Sequence, residues 1–166
     1  QSSLSEELAE DYFGSATTFV AAEIDQTTHK AKILSVGDSR AYLIDAQGKW
    51  QQITQDHSIL SELLADFPDK KEEDFATIYG GVSSCLVADY SEFQDIIFYQ
   101  EIEIHQGESL LLCSDGLTDG LSADVREKVW KQYDNDKSRL TVCRKLITKQ
   151  GFYDDLSVVC CHFIFD

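Results

Sequence analysis

Residues 31–45 read AKILSVGDSRAYLID, two apolar-rich stretches on either side of Gly37-Asp38-Ser39. Ala31 to Val36 and Arg40 to Asp45 have the composition of strands, and the tripeptide between them is turn chemistry. Moving outward, His29-Lys30 marks a turn before the pair, preceded by another β-rich stretch, Ala16 to Ile24 (ATTFVAAEI). On the other side Ala46-Gln47-Gly48 turns the chain into Lys49 to Ile53 (KWQQI). Four strands joined by tight turns predict an antiparallel meander.

Before the meander, apolar residues at 4, 8, 12 and 13 with acids between them predict a short amphipathic helix over Leu4 to Phe13, ended by Gly14. After it, Asp56 is placed to cap a helix carrying Ile59, Leu60, Leu63 and Leu64 on one face. Asp66 to Asp74 (DFPDKKEED) holds the single Pro and reads as an exposed loop. A strand is expected over Ile97 to Ile104. Ser109 to Cys113 (SLLLC) is a short continuous apolar run, the pattern of a strand buried on both faces. Two helices follow. The first is capped by Ser122, with Val125, Val129, Trp130 and Tyr133 on a stripe. The second carries Leu140, Cys143, Leu146 and Ile147 and stops at Gly151. Leu156 to Phe165 (LSVVCCHFIF), apolar on both faces, predicts a central strand. The order is that of an α+β chain with antiparallel sheets, organised as a single domain over residues 1–166.

The composition is globular, 43% apolar with one Pro, so the chain can bury a single substantial core. No run of 18 apolar residues is present, so no membrane span is expected. The opening residues lack the basic-then-apolar pattern of a secretory signal. Position 1 is Gln and the chain holds no Met, which fits a trimmed N-terminus or a piece of a longer protein.

The net charge of −16 is unevenly spread. Residues 1–125 carry 24 acids against 6 bases, whereas residues 126–149 carry 8 bases against 3 acids. A field this negative repels phosphate backbones, which argues against nucleic acid as a partner. It suits hard cations, which prefer carboxylate oxygen. The five cysteines include no Cys-x-x-Cys pair. Cys113, Cys160 and Cys161 lie in apolar runs and read as small core residues, in keeping with a reducing cytoplasmic setting.

Three turns place an Asp at the tip of an apolar strand: Gly37-Asp38-Ser39-Arg40, Ser114-Asp115-Gly116-Leu117-Thr118-Asp119-Gly120, and Asp154-Asp155-Leu156. A strand end aims a short carboxylate rigidly, and an adjacent Gly admits close approach. Converging, such residues would form an oxygen-rich cage for Mg²⁺ or Mn²⁺. Singly, each is an ordinary turn.

Taken in order, the segments resemble the type 2C (PPM) family of metal-dependent serine/threonine protein phosphatases. Gly14-Ser15-Ala16-Thr17 is similar to that family's Gly-Ser/Ala-Thr motif, and Val36-Gly37-Asp38-Ser39-Arg40 to its Val-Gly-Asp-Ser-Arg motif. Thr54-Gln55-Asp56-His57 resembles its Thr-x-Asp-His segment. Ser114-Asp115-Gly116-Leu117-Thr118-Asp119 resembles its Ser-Asp-Gly-Leu-x-Asp motif. Asp154-Asp155-Leu156-Ser157-Val158 stands where the family has Asp-Asn-Ile/Leu-Thr/Ser-Val. The resemblance implies a β-sandwich of two antiparallel sheets flanked by helices, of which this chain is the C-terminal two-thirds.

It also implies hydrolysis of phosphoserine and phosphothreonine in protein substrates, with two or three Mn²⁺ or Mg²⁺ ions. Two of these ions, about 3.5–4 Å apart, would activate a water that attacks phosphorus directly. By the same resemblance Asp115 and Asp154 are ligands of the binuclear centre and its second metal. Asp38 and Asp115 hold a third, weaker site, with Asp119 assisting. Asp155 replaces the family's Asn, and Gly80 to Tyr90 departs from its Arg-Ala-x-Gly-like stretch. The family's phosphate-gripping Arg, metal-bridging Asp and proton-donating His belong to an N-terminal segment that nothing before Gly14 matches. No catalytic acid is therefore identifiable among these residues.

Other chemistries find no support. No Cys is followed six residues later by an Arg, as a cysteine phosphatase requires, and no phosphate-binding Gly-rich loop or Gly-x-Ser-x-Gly elbow occurs. His29 and His105 read as surface groups, His162 as a hydrogen-bonded core residue, and His57 as part of a helix start. Two expectations remain: a phosphatase whose site is completed by a further N-terminal segment, or a pseudophosphatase that keeps the fold as a regulatory binding module. Unpaired sheet edges would favour a dimer or a bound N-terminal fragment.

Overall fold

A computed structural model describes residues 13–71, 74–75, 81–87, 97–151 and 154–165. In chain order its elements are β1 (Ala16–Thr17), β2 (Phe19–Asp25), β3 (Lys30–Val36), β4 (Arg40–Ile44), β5 (Trp50–Gln52), α1 (Ile59–Asp66), β6 (Leu86–Val87), β7 (Phe98–Glu103), β8 (Ser109–Cys113), α2 (Asp115–Gly120), α3 (Ala123–Gln132), α4 (Asp136–Lys149) and β9 (Val158–His162). Of the helix expected over Leu4 to Phe13 all but Phe13 lies outside the described residues, as do residues 80 and 88–90 of the Gly80 to Tyr90 stretch.

The strands form antiparallel sheets in the orders β2-β3-β7 and β5-β4-β8-β9, with a separate β1-β6 pair. Side chains alternate across the pleat, so the two central strands of the four-stranded sheet, β4 and β8, feed two cores. Tyr42, Ile44, Leu111 and Cys113 point into one with Leu117, Val129, Trp130, Cys143 and Ile147 of the helices. Ala41 and Leu110, with Leu43 and Leu112, pack with Ala31 and Ile33 of the other sheet. The α+β sandwich of antiparallel sheets flanked by helices is the architecture expected, with α2, α3 and α4 packed against the four-stranded sheet.

The single meander is not. β2–β3 and β4–β5 pair as hairpins, but β3 and β4 belong to different sheets. β3 alternates buried and exposed residues over most of its length, whereas β4 and β8 are apolar on both faces. Strands of that second kind need cover on both sides, so the Gly37-Asp38-Ser39 turn carries the chain across the sandwich. The 16–24 stretch also divides at Thr18, whose hydroxyl meets that of Ser39 at 2.8 Å.

Three smaller expectations change. Ser58, not Asp56, caps α1, its Oγ accepting the Ser61 N–H at 3.1 Å. Among the described residues the last strand is an edge, paired to β8 alone, and not the central strand expected. Register puts Val159 and Cys161 on the inter-sheet face beside Leu112 and Leu110, yet Val159 is 66% exposed and Cys161 is exposed as well. Among the described residues the three-stranded sheet does not extend over them. His162 is likewise exposed, although its Nδ1 bonds the buried Ser109 hydroxyl at 2.9 Å. No helix among the described residues is long and apolar enough to cross a membrane.

Candidate functional site

Strand register gathers the acidic turns. Arg40 lies opposite Cys113 and Cys113 opposite Val158, so the turn before β4, the residues after β8 and the loop before β9 open at one end of the four-stranded sheet. Asp38 occupies the first, Asp115 and Asp119 the second, and Asp154 the third. Asp115 and Asp119 are four apart on α2 and share a helix face.

The acids sense one another. Partial burial raises the pKa of Asp38 above the usual carboxylate value, and the neighbouring Asp115 raises it further. Asp119 is pushed up by desolvation first, then by Asp115 and, more weakly, by Asp154 and Asp56. Asp115 is thus the centre of the group. Arg40 offsets part of this repulsion at both residues. Its own guanidinium is already engaged, with Nε donating to both Asp56 oxygens at 3.0 and 2.8 Å and a further contact from Nη2. Burial opposes that charge, but Asp56 overcomes it and holds Arg40 firmly protonated. Asp56, expected as a helix cap, therefore anchors an arginine beside the Asp38 turn.

Ser114 ties the second turn to the third. Its N–H donates to the Ser157 carbonyl at 3.0 Å, its Oγ donates to the Asp155 carbonyl at 3.0 Å, and it accepts the Ser157 N–H at 3.0 Å. Gly116 permits this closeness, since a Cβ there would stand 2.5 Å from the Asp155 carbonyl oxygen. Neither residue's holding role is visible in the sequence beyond its membership of a motif. The same holds for His57, whose ring accepts the Gly37 N–H at 3.0 Å.

The four acids offer hard oxygen donors whose mutual repulsion a divalent cation would relieve. Among the described residues, however, no three His, Cys, Asp or Glu side chains stand close enough to hold an ion between them. A cation at this end would complete its shell from water or from other parts of the polypeptide. A cavity of about 510 Å³ lies elsewhere, lined by Asp45, Ser109, Arg139 and His162 at the opposite end of the same sheet.

Comparison with known proteins adds an independent line. The family model described as protein phosphatase 2C matches residues 2–142. The serine/threonine phosphatase stp of Listeria innocua is 32% identical over 155 residues, an alignment covering 90% of this chain and 57% of that protein. The Mycobacterium tuberculosis serine/threonine phosphatase PstP/Ppp superposes with a TM-score of 0.82 at 24% identity, over 99% of this chain and 68% of that one. The catalytic domain of PstP in complex with two manganese ions gives 0.76 at 23% identity, over 99% and 66%. The chain thus spans little more than half the length of the curated relative it matches.

Proposed function

The chain belongs to the protein phosphatase 2C family, and on that premise we propose that the protein to which it contributes hydrolyses phosphoserine and phosphothreonine in protein substrates with the help of Mn²⁺ or Mg²⁺. One observation carries the reading: carboxylates from three separate segments, Asp38, Asp115 with Asp119, and Asp154, open at one sheet end, where partial burial and the neighbouring Asp115 raise the proton affinity of Asp38 and Asp119. A divalent cation placed among them would relieve that repulsion. The manganese-bound relative of the same fold supports the choice of ion.

In this reading Asp115 and Asp154 are ligands of two principal ions, and Asp38, Asp115 and Asp119 serve a third. When bound, such ions supply Lewis acidity toward the phosphoryl oxygens and lower the pKa of a water. This chain's own residues hold the carboxylates in place: Ser114 locks the Asp155 carbonyl and Ser157 against the start of α2, and Asp56 restrains Arg40 beside Asp38. The proton for the departing serine or threonine and the grip on phosphate fall to residues outside these segments. We read the chain as the C-terminal two-thirds of the phosphatase domain, cytoplasmic, with the edge of β9, unpaired among the described residues, taken by an N-terminal segment or a second copy.

The test is Mn²⁺-dependent release of phosphate from a phosphoserine peptide by the full-length protein. Turnover that disappears in Asp115→Asn, with the fold intact by circular dichroism, is expected. An inert full-length protein that still binds phosphoprotein would instead make it a binding module with a phosphatase fold. Coding sequence upstream of Gln1 that supplies Asp-Gly-x-Gly-Gly would place the remaining ligand.

A further inference from the structure

Asp38 directly follows a glycine at the acid end. Gly37 has φ +100, a conformation closed to most side chains, and a Cβ there would stand 2.5 Å from Thr18 Cγ2. Glycine is therefore required, and a glycine immediately before a carboxylate would leave that carboxylate free to swing unless its backbone were held from outside.

His57 holds it at both polar atoms. The Gly37 N–H donates to His57 Nδ1 at 3.0 Å, and the His57 N–H donates to the Gly37 carbonyl at 2.9 Å. An accepting Nδ1 requires the neutral ring with its proton on Nε2. His57 is itself fixed, because its carbonyl accepts the Ser83 N–H at 2.9 Å and the next residue caps α1. The rest of the turn is held by other groups: Ser39 by Thr18 and Arg40 by Asp56. The Gly37 peptide depends on His57.

We propose that His57 is a positioning residue for Asp38, clamping the Gly37 backbone so that the Asp38 carboxylate is presented toward Asp115. The inference rests on the reading of Asp38 as a metal ligand. His57 touches no reacting group in it. Its contribution is the lone pair at Nδ1 and its location one backbone step from the carboxylate. Ligand-supporting groups of this sort commonly alter metal affinity by about 10- to 100-fold.

Side-chain geometry supplies a sharp test. Asparagine places its Oδ1 where Nδ1 stands, whereas glutamine places its acceptor near Nε2. In the full-length protein, His57→Asn should keep the Gly37 amide protected from hydrogen exchange and retain the wild-type Mn²⁺ affinity by calorimetry. His57→Gln and His57→Ala should lose both, with Mn²⁺ dissociation constants raised about 10- to 100-fold. The wild type should also show nitrogen–nitrogen scalar coupling across the Gly37 to His57 bond. Glutamine performing as well as asparagine would overturn the clamp, and so would loss of Gly37 protection with unchanged Mn²⁺ affinity. If the wild type binds no Mn²⁺, the metal-ligand reading fails and the positioning role with it, while exchange at Gly37 still reports whether the clamp exists.

Discussion

A single methyl group added at Gly116 probes how tightly the start of α2 is pressed against the loop before β9. In Gly116→Ala the new Cβ would lie 2.5 Å from the Asp155 carbonyl oxygen and 3.1 Å from its carbon, both backbone atoms that no rotamer can move aside. Ordinary contact begins at 3.4 Å, so the loop must retreat by about 0.9 Å. Overpacking of that kind costs about 1–3 kcal/mol. Retreat also stretches the bond from Ser114 Oγ to the Asp155 carbonyl, a further loss of about 1 kcal/mol. Against this, alanine favours helix over glycine by about 1 kcal/mol. The net expectation is a destabilisation of about 1–3 kcal/mol, read as a lower urea midpoint at unchanged slope. Because Ser114→Ala acts on the same carbonyl, the double variant should lose less than the sum of the two single ones. A Gly116→Ala protein as stable as the parent, or additive with Ser114→Ala, would show that α2 and the Asp154 loop are not in the contact described and would refute the reasoning.

Arg126 is 8% exposed, its guanidinium lies over the rings of Tyr42 and Trp50, and its Nε and Nη1 have no acceptor among the described residues. Methionine keeps the length and removes the buried charge, so Arg126→Met should be neutral or more stable by about 1–2 kcal/mol in thermal melts, whereas a loss would reveal an acceptor for the charge. Burial pushes the thiols of Cys113 and Cys143 up to about 12 and about 11, while Cys161 is exposed. A maleimide at neutral pH should mark Cys161 well before either of the other two, and equal labelling of the folded protein would contradict the packing. Asp119 has a folded-state pKa above its unfolded value, so its contribution to stability is present at low pH and declines as pH rises through the folded value. Asp119→Asn should flatten the fall in urea midpoint as pH rises above the ordinary aspartate range in metal-free buffer. The effect is small because the residue lies at the surface, and an unchanged pH profile would remove Asp119 from the acidic group.

What the chain reveals by itself is local in character. The continuous apolar run Ser109–Cys113 predicts a strand covered on both faces, and the structure buries it so. The stripe of Val129 and Trp130 marks the inward side of α3, and Cys143 and Ile147 that of α4. The Asp-bearing turns are legible because turn chemistry and strand composition act over a few neighbouring residues. Which sheet a strand joins is settled by pairing across long separations, and no periodicity encodes it. The 31–45 stretch therefore looks like a hairpin although β3 and β4 part company at Gly37. The run Leu156 to Phe165, apolar on both faces, reads as a covered central strand, but exposure depends on what stands opposite, and Val159 is largely bare. His57 reads as a helix-start residue, and only the folded backbone reveals Gly37 against its Nδ1. Composition and spacing determine which segments become strands, turns and helix faces, because those preferences are short-range. Tertiary structure decides that the turns bearing Asp38, Asp115, Asp119 and Asp154 open at one end of a sheet, because register between distant strands is a property of the assembled sheet alone.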